Sequence, residues 1–207
     1  MNRRESIKRL ALSFGYVVSA PAVVGVLESC TGKQKSWSPK YFSQEEQHFV
    51  THLVDIILPA SDTPGGFDEN LPQFIDMMCQ DMFEAEEQSI FKKGSALFSM
   101  KFGQQYGKDI GVSTRAEIAE LFGSFFDIDA KEQGTIQYMQ SKKIEEVREE
   151  EKESYMIYKF LFNIRSLSLF GYFTSEKVGR EVLNFDPIPG QYVPCVPVSE
   201  IGNAWTI

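Results

Sequence analysis

Tyr155-Met156-Ile157-Tyr158-Lys159-Phe160-Leu161-Phe162-Asn163-Ile164-Arg165-Ser166-Leu167-Ser168-Leu169-Phe170 carries no proline or glycine, and wound as a helix it is apolar almost all round. Such a helix sits at the centre of a helical domain or faces a partner. Lys159, Asn163 and Arg165 interrupt it too often for it to span a membrane. The stretch predicts an all-α, compact helical domain assembled around it.

The sequence before this stretch supplies the helices to surround it. Ser43 and Glu46 form a capping box ahead of Phe49, Leu53, Ile56 and Ile57, and Pro59 stops that helix. The loop Ala60-Ser61-Asp62-Thr63-Pro64-Gly65-Gly66 is dense in turn formers. A helix starting at Asn70 or Leu71, with Pro72 in its first turn, places Phe74, Ile75, Met78 and Met82 at helical spacing. Another is expected from Glu86 to Tyr106 with Phe91, Leu97 and Phe98 inward. Thr114 and Glu117 make a second capping box before Ile118, Leu121, Phe122 and Phe125. From a cap at Asp129, helix is expected with little interruption to Phe170. Its charged part, Lys142 to Glu153, is read as a solvated face with Glu145–Arg148 and Glu149–Lys152 pairs at i,i+3.

The sequence after it is different. A short helix is expected past Thr174 and Ser175. The tail then carries Pro187, Pro189, Gly190, Pro194, Pro197 and Gly202, so it is irregular and has to lie on this domain or on a partner.

The first residues read as an address. Arg3-Arg4-Glu5-Ser6-Ile7-Lys8 fits a twin-arginine export signal, followed by the uncharged stretch Leu10 to Leu27. Its 18 residues are near the minimum for a membrane span, but Pro21, Gly15 and Gly25 weaken a spanning helix. Leu27-Glu28-Ser29-Cys30 resembles a lipobox, in which Cys30 is acylated and becomes the new N-terminus. Ala20-Pro21-Ala22 offers a competing signal-peptidase site. The polar run after Cys30 favours the lipoprotein, whose lipid anchor would hold it to the membrane on the periplasmic side. The expected organisation is a signal segment over 1–29, a polar tether over 30–42 and a helical domain over 43–207. Export of folded proteins by this route makes most sense when a cofactor-loaded partner travels along.

Composition narrows the function. The chain has 207 residues and a formal net charge of -8, which argues against nucleic acid, whose binders need clustered Lys and Arg. Removing residues 1–29 takes away four basic side chains and two acidic ones, leaving a more acidic remainder. No GxG, CxxCH or GxxxxGK[ST] occurs, so no dinucleotide fingerprint, c-type haem attachment or phosphate loop is expected in this chain. His48 and His52, the only histidines, share a helix face, as a two-ligand metal site would need, but Phe49 stands where a zincin has its glutamate. An ordinary surface pair is the expectation, with no catalytic residue assigned. Of the cysteines left after Cys30, Cys79 belongs on a helix and Cys195 in the tail. An internal bridge, a bond from Cys195 to a partner, and two free thiols are all open.

Two blocks carry a family resemblance. Ile56-Ile57-Leu58-Pro59-Ala60-Ser61-Asp62-Thr63-Pro64-Gly65-Gly66, then Leu71-Pro72-Gln73-Phe74-Ile75-Asp76, is one. The other runs from Gly171-Tyr172-Phe173-Thr174-Ser175-Glu176 through Pro187-Ile188-Pro189-Gly190-Gln191-Tyr192 to Cys195 and Gly202-Asn203-Ala204-Trp205. Together with the export signal they resemble gluconate 2-dehydrogenase subunit 3 proteins. Asn203 departs from the usual Asp, and Arg180 from the usual small or apolar residue after Gly179.

The resemblance implies a small, non-catalytic subunit without a cofactor of its own. Its partner would be a GMC-type flavoprotein holding FAD and oxidising a sugar or polyol, with electrons leaving through a cytochrome c subunit carrying haem c. The subunit would carry the export signal for the complex and help the flavoprotein mature. Phe160, Phe162 and the tail around Pro189 and Tyr192 are the expected apolar interface. The rival reading is a stand-alone surface lipoprotein of binding or structural type.

Overall fold

The structure, a computed structural model, describes residues 37–186, 188, 190 and 195–206. The predicted signal residues Arg3, Arg4 and Cys30 and the tail residues Pro189 and Tyr192 lie outside the described residues. Pro39–Ile207 forms one compact unit, and among its described residues there is no strand beyond one isolated bridge, Asn184 to Trp205.

The apolar stretch is the axis of the fold. It lies in α6 (Lys152–Phe173), which buries Tyr155, Ile157, Tyr158, Phe160, Leu161 and Ile164 among others. Against it pack α1 (Gln44–Ile57), α2 (Leu71–Asp81), α3 (Ala85–Tyr106) and α5 (Ala130–Gln140), while α4 (Arg115–Phe126) lies mainly on α1. Both predicted capping boxes are formed, Ser43 with Glu46 and Thr114 with Glu117. The chain enters α2 through Asn70 at φ 53, a left-handed conformation that asparagine tolerates better than most side chains. It leaves α3 through Gly107 at φ 67, the usual glycine helix stop.

The core is aromatic. Phe160 packs on Phe91 with ring centroids 5.0 Å apart and on Phe98 and Phe49 at 5.9 and 6.1 Å. It is 0% exposed, so it is a core residue and offers nothing to a partner. The expectation of an interface residue there is corrected: an all-round apolar helix shows no sequence difference between its inward and outward faces. Two smaller corrections have local causes. Met82 is the C-cap of α2 and lies exposed, and Leu97 is only half-buried on α3.

The expected long helix from Asp129 to Phe170 is broken. α5 ends at Gln140, two single 3₁₀ turns follow (Ile144–Glu146 and Glu149–Glu151), and α6 begins at Lys152. Tertiary contacts impose the break. Val147 tucks into a side cluster with Ile90 and Tyr155, the Tyr155 hydroxyl donates to the Lys142 carbonyl (3.1 Å), and the Gln140 carboxamide donates to the Tyr155 carbonyl (3.0 Å). The charged run is thus a pair of turns rather than a helix face. Glu149–Lys152 does pair at 2.6 Å, whereas Arg148 goes to Glu151 and Glu150, not to Glu145.

The tail folds back on its own domain, after α7 (Glu176–Glu181). The Asn184 carboxamide donates to the carbonyls of Ile201 (2.7 Å) and Asn203 (2.6 Å), and Asn203 donates to that of Val182 (2.7 Å). Within the described tail, Val198–Ile201 forms one short helix, α8, so the tail is less irregular than its prolines suggest.

Candidate functional site

Two carboxylates fix the start of the domain. Asp76 on α2 is 1% exposed and accepts from three successive backbone N–H groups, those of Lys40 (2.8 Å), Tyr41 (3.0 Å) and Phe42 (2.8 Å). Residues 40–42 therefore belong to the fold and not to the tether. Glu46 on α1 is also buried. It accepts from the Ser43 backbone (2.8 Å) and the Ser95 hydroxyl (2.8 Å) and pairs with Lys92. The Lys92 ammonium also donates to the Tyr41 carbonyl (2.7 Å) and lies 4.2 Å from the centre of the Tyr41 ring. Burial, with the nearby Cys79 and Glu46, pushes the Tyr41 hydroxyl well above its ordinary pKa. With both carboxylates engaged by donors of the protein itself, this cluster is structural.

The histidines form a half-buried edge-to-face pair one turn apart on α1. Their rings meet edge to face, centroids 4.8 Å apart, and His48 Nε2 is 2.9 Å from the Ser113 carbonyl, to which it must donate. That nitrogen is unavailable to a metal, and no group of three or more His, Cys, Asp or Glu gathers among the described residues. Burial first, and His48 second, lowers the pKa of His52. Cys79 is buried on α2, where burial and Asp76 push its thiol up to about 12, an unreactive state. Cys195 is exposed; both thiols are free and they are not joined to each other.

Among the described residues, a cleft of about 500 Å³ opens where α4, α5 and α6 meet the end of α1. Its apolar wall is built by helical spacing. Phe122 and Phe126 stand one turn apart on α4 with centroids 4.8 Å apart, and Tyr158 and Phe162 one turn apart on α6 at 6.0 Å. Phe126 bridges the helices, 6.2 Å from Tyr158 and 6.0 Å from Phe162. The Tyr158 hydroxyl donates to the Phe125 carbonyl at 2.8 Å, locking that corner, and burial raises its pKa. α5 closes the far side but buries only Ile136, so it stands off α6 and leaves the space open.

Polar groups are few and lie at the rim: Gln133 and Gln137 on α5 and Arg165 on α6. Four arginines occur among the described residues. Arg115, Arg148 and Arg180 each pair with a carboxylate, and Arg165 alone makes no ion pair or hydrogen bond. No carboxylate lines the cleft. Phe162, expected at an interface, is half-buried in this wall. In the sequence Arg165 stands out only as an interruption of the apolar stretch. Its signal was its position three residues after Phe162, one turn along the same face.

The helical domain, its loop at 59–70 and α7 fall within one known family. The family model for gluconate 2-dehydrogenase subunit 3 matches residues 44–190. The chain belongs to that family. The match covers every helix from α1 to α7, and so includes the cleft and the first of the two sequence blocks. Membership makes this an accessory-type subunit associated with a gluconate 2-dehydrogenase-like complex. No curated protein and no solved structure matches the chain. Among the described residues no helix is long and apolar enough to cross a membrane.

Proposed function

We propose that this subunit 3 protein is the non-catalytic accessory chain of a periplasmic, FAD-dependent sugar or polyol dehydrogenase, and that it brings the flavoprotein subunit through export and maturation. The family match over residues 44–190 carries the reading. Arg3-Arg4 supports twin-arginine export, and Cys30 supports a lipid anchor. The FAD belongs to a GMC-type partner, and haem c to a cytochrome subunit that takes the electrons onward. This chain contributes surface and an address rather than chemistry.

Co-expression with a GMC-type flavoprotein from the same genome tests the reading. The two chains are expected to purify together from a detergent extract, with flavin absorbance in the complex. Replacing both Arg3 and Arg4 by Lys is expected to leave the flavoprotein in the cytoplasm. A flavoprotein that reaches the periplasm loaded and active in a strain lacking this chain would show the stand-alone lipoprotein reading to be the better one.

A further inference from the structure

The aromatic cleft has the anatomy of an interface centre, and its occupant can be described chemically. We propose that the cleft receives an apolar segment of the flavoprotein subunit, whose anchor is an aromatic or branched side chain with a carboxylate close by in sequence to pair with Arg165. This rests on the accessory-subunit reading above and names the surface that does the binding.

Size is the first argument. At about 500 Å³ the cleft is far larger than the voids that packed interiors leave, and it falls within the roughly 300–1,000 Å³ of sites that bury an occupant. The distribution of chemistry is the second. Aromatic rings from α4 and α6 form the centre, while exposed Gln133, Gln137 and Arg165 form the rim, the arrangement of protein interfaces rather than of enclosed ligand cavities.

Charge is the third argument, and it specifies the partner. The chain carries a formal -8, so an acidic segment is repelled by most of its surface. Arg165 is the exception, a guanidinium with five donors and no acceptor bound, beside a wall that holds no carboxylate. A carboxylate arriving there satisfies the fork bidentately and sets the register of the apolar anchor. Preorganisation is the fourth. The Tyr158–Phe125 hydrogen bond and the ring contacts of Phe126 hold the wall in place before anything binds, so little ordering is needed.

The test is the affinity of the full-length chain for the flavoprotein subunit, measured by titration with folding of each variant checked by its thermal midpoint. Arg165→Glu, an exposed change, is expected to weaken binding about 30-fold or more, and Arg165→Lys less, since an ammonium cannot make the fork. Gln137→Trp fills the cleft from its exposed rim without touching the core and is expected to weaken binding at least about tenfold. Lys177→Glu on α7 is expected to leave it unchanged. If the flavoprotein binds the wild type, Arg165→Glu and Gln137→Trp equally well, the cleft proposal is overturned while the accessory-subunit reading stands. If the wild type binds no flavoprotein, both fall. Self-association abolished by Arg165→Glu would assign the cleft to a second copy instead. A small anionic amphiphile released on denaturation and detected by mass spectrometry would assign it to that molecule. Either result overturns the proposal.

Discussion

Single residues here differ most in how completely their polar atoms are matched. Glu46 is the most heavily committed carboxylate of α1, holding Ser43, Ser95 and Lys92 at once. Glu46→Ala removes the carboxylate half of the capping box and takes from Lys92 and the buried Ser95 hydroxyl the carboxylate they share. Because Lys92 keeps partial access to water, the loss is expected at about 2–3 kcal/mol, below that of a fully buried pair, and a urea melt measures it. His52 makes an opposite kind of prediction. Its folded pKa lies below the ordinary 6.5, because burial and His48 disfavour the charged form. The unfolded chain therefore takes up a proton near pH 6.5 that the native protein refuses, and stability present above that pH is lost as pH falls below it. The thermal midpoint is expected to drop between pH 7 and 5, and His52→Gln to flatten that drop. An unchanged slope in the variant would show that other groups control it. The capping role of Glu46 was legible in the sequence as half of a capping box. Its burial and its bond to Lys92, 46 residues away, were not, because nothing local encodes that contact.

Between elements, α3 and α6 approach closely at Gly94. A Cβ there would lie 2.2 Å from the Met156 carbonyl oxygen and 2.8 Å from the Phe160 Cβ. Gly→Ala inside a helix ordinarily stabilises by roughly 0.5–1 kcal/mol, but at this crossing the backbone of α6 would have to move. Gly94→Ala is expected to destabilise by about 2–3 kcal/mol net, read from the denaturation midpoint. Gly134→Ala on α5 is the matched control: nothing lies within 4 Å of its Cβ position, so the ordinary small gain is expected. The elements were largely legible where local chemistry sets them. Ser43 and Glu46, Thr114 and Glu117, and Pro59 all mark boundaries by groups a few residues apart. The break between α5 and α6 was illegible for the opposite reason. Lys142 to Glu153 contains no glycine or proline and would accept a helix, and the contacts that make it turn, Val147 against Ile90 and Tyr155 and the Tyr155 and Gln140 hydrogen bonds, come from the tertiary fold. The cleft is lined from four helices that meet only in the folded chain, and so its outline could not be read from residues either.

For the whole molecule, the family assignment rests on the helical domain, while the proposed location rests on the sequence before it. Cys30→Ala is therefore expected to shift the protein, and any flavoprotein bound to it, from the membrane to the soluble periplasmic fraction without changing the thermal midpoint of the domain. Unaltered fractionation of the variant would remove the lipid anchor from the proposal. The Asp76 clamp adds a mechanical consequence. Whatever force reaches the domain from the N-terminal side at residue 40 meets three N–H groups gripped by one buried carboxylate before it meets α1. The load passes sideways into α2 and its contacts with α6, so the domain is pulled through its middle rather than unravelled from its first helix. A protein built this way resists being peeled, and under tension its first yield point is expected at the Asp76 attachment.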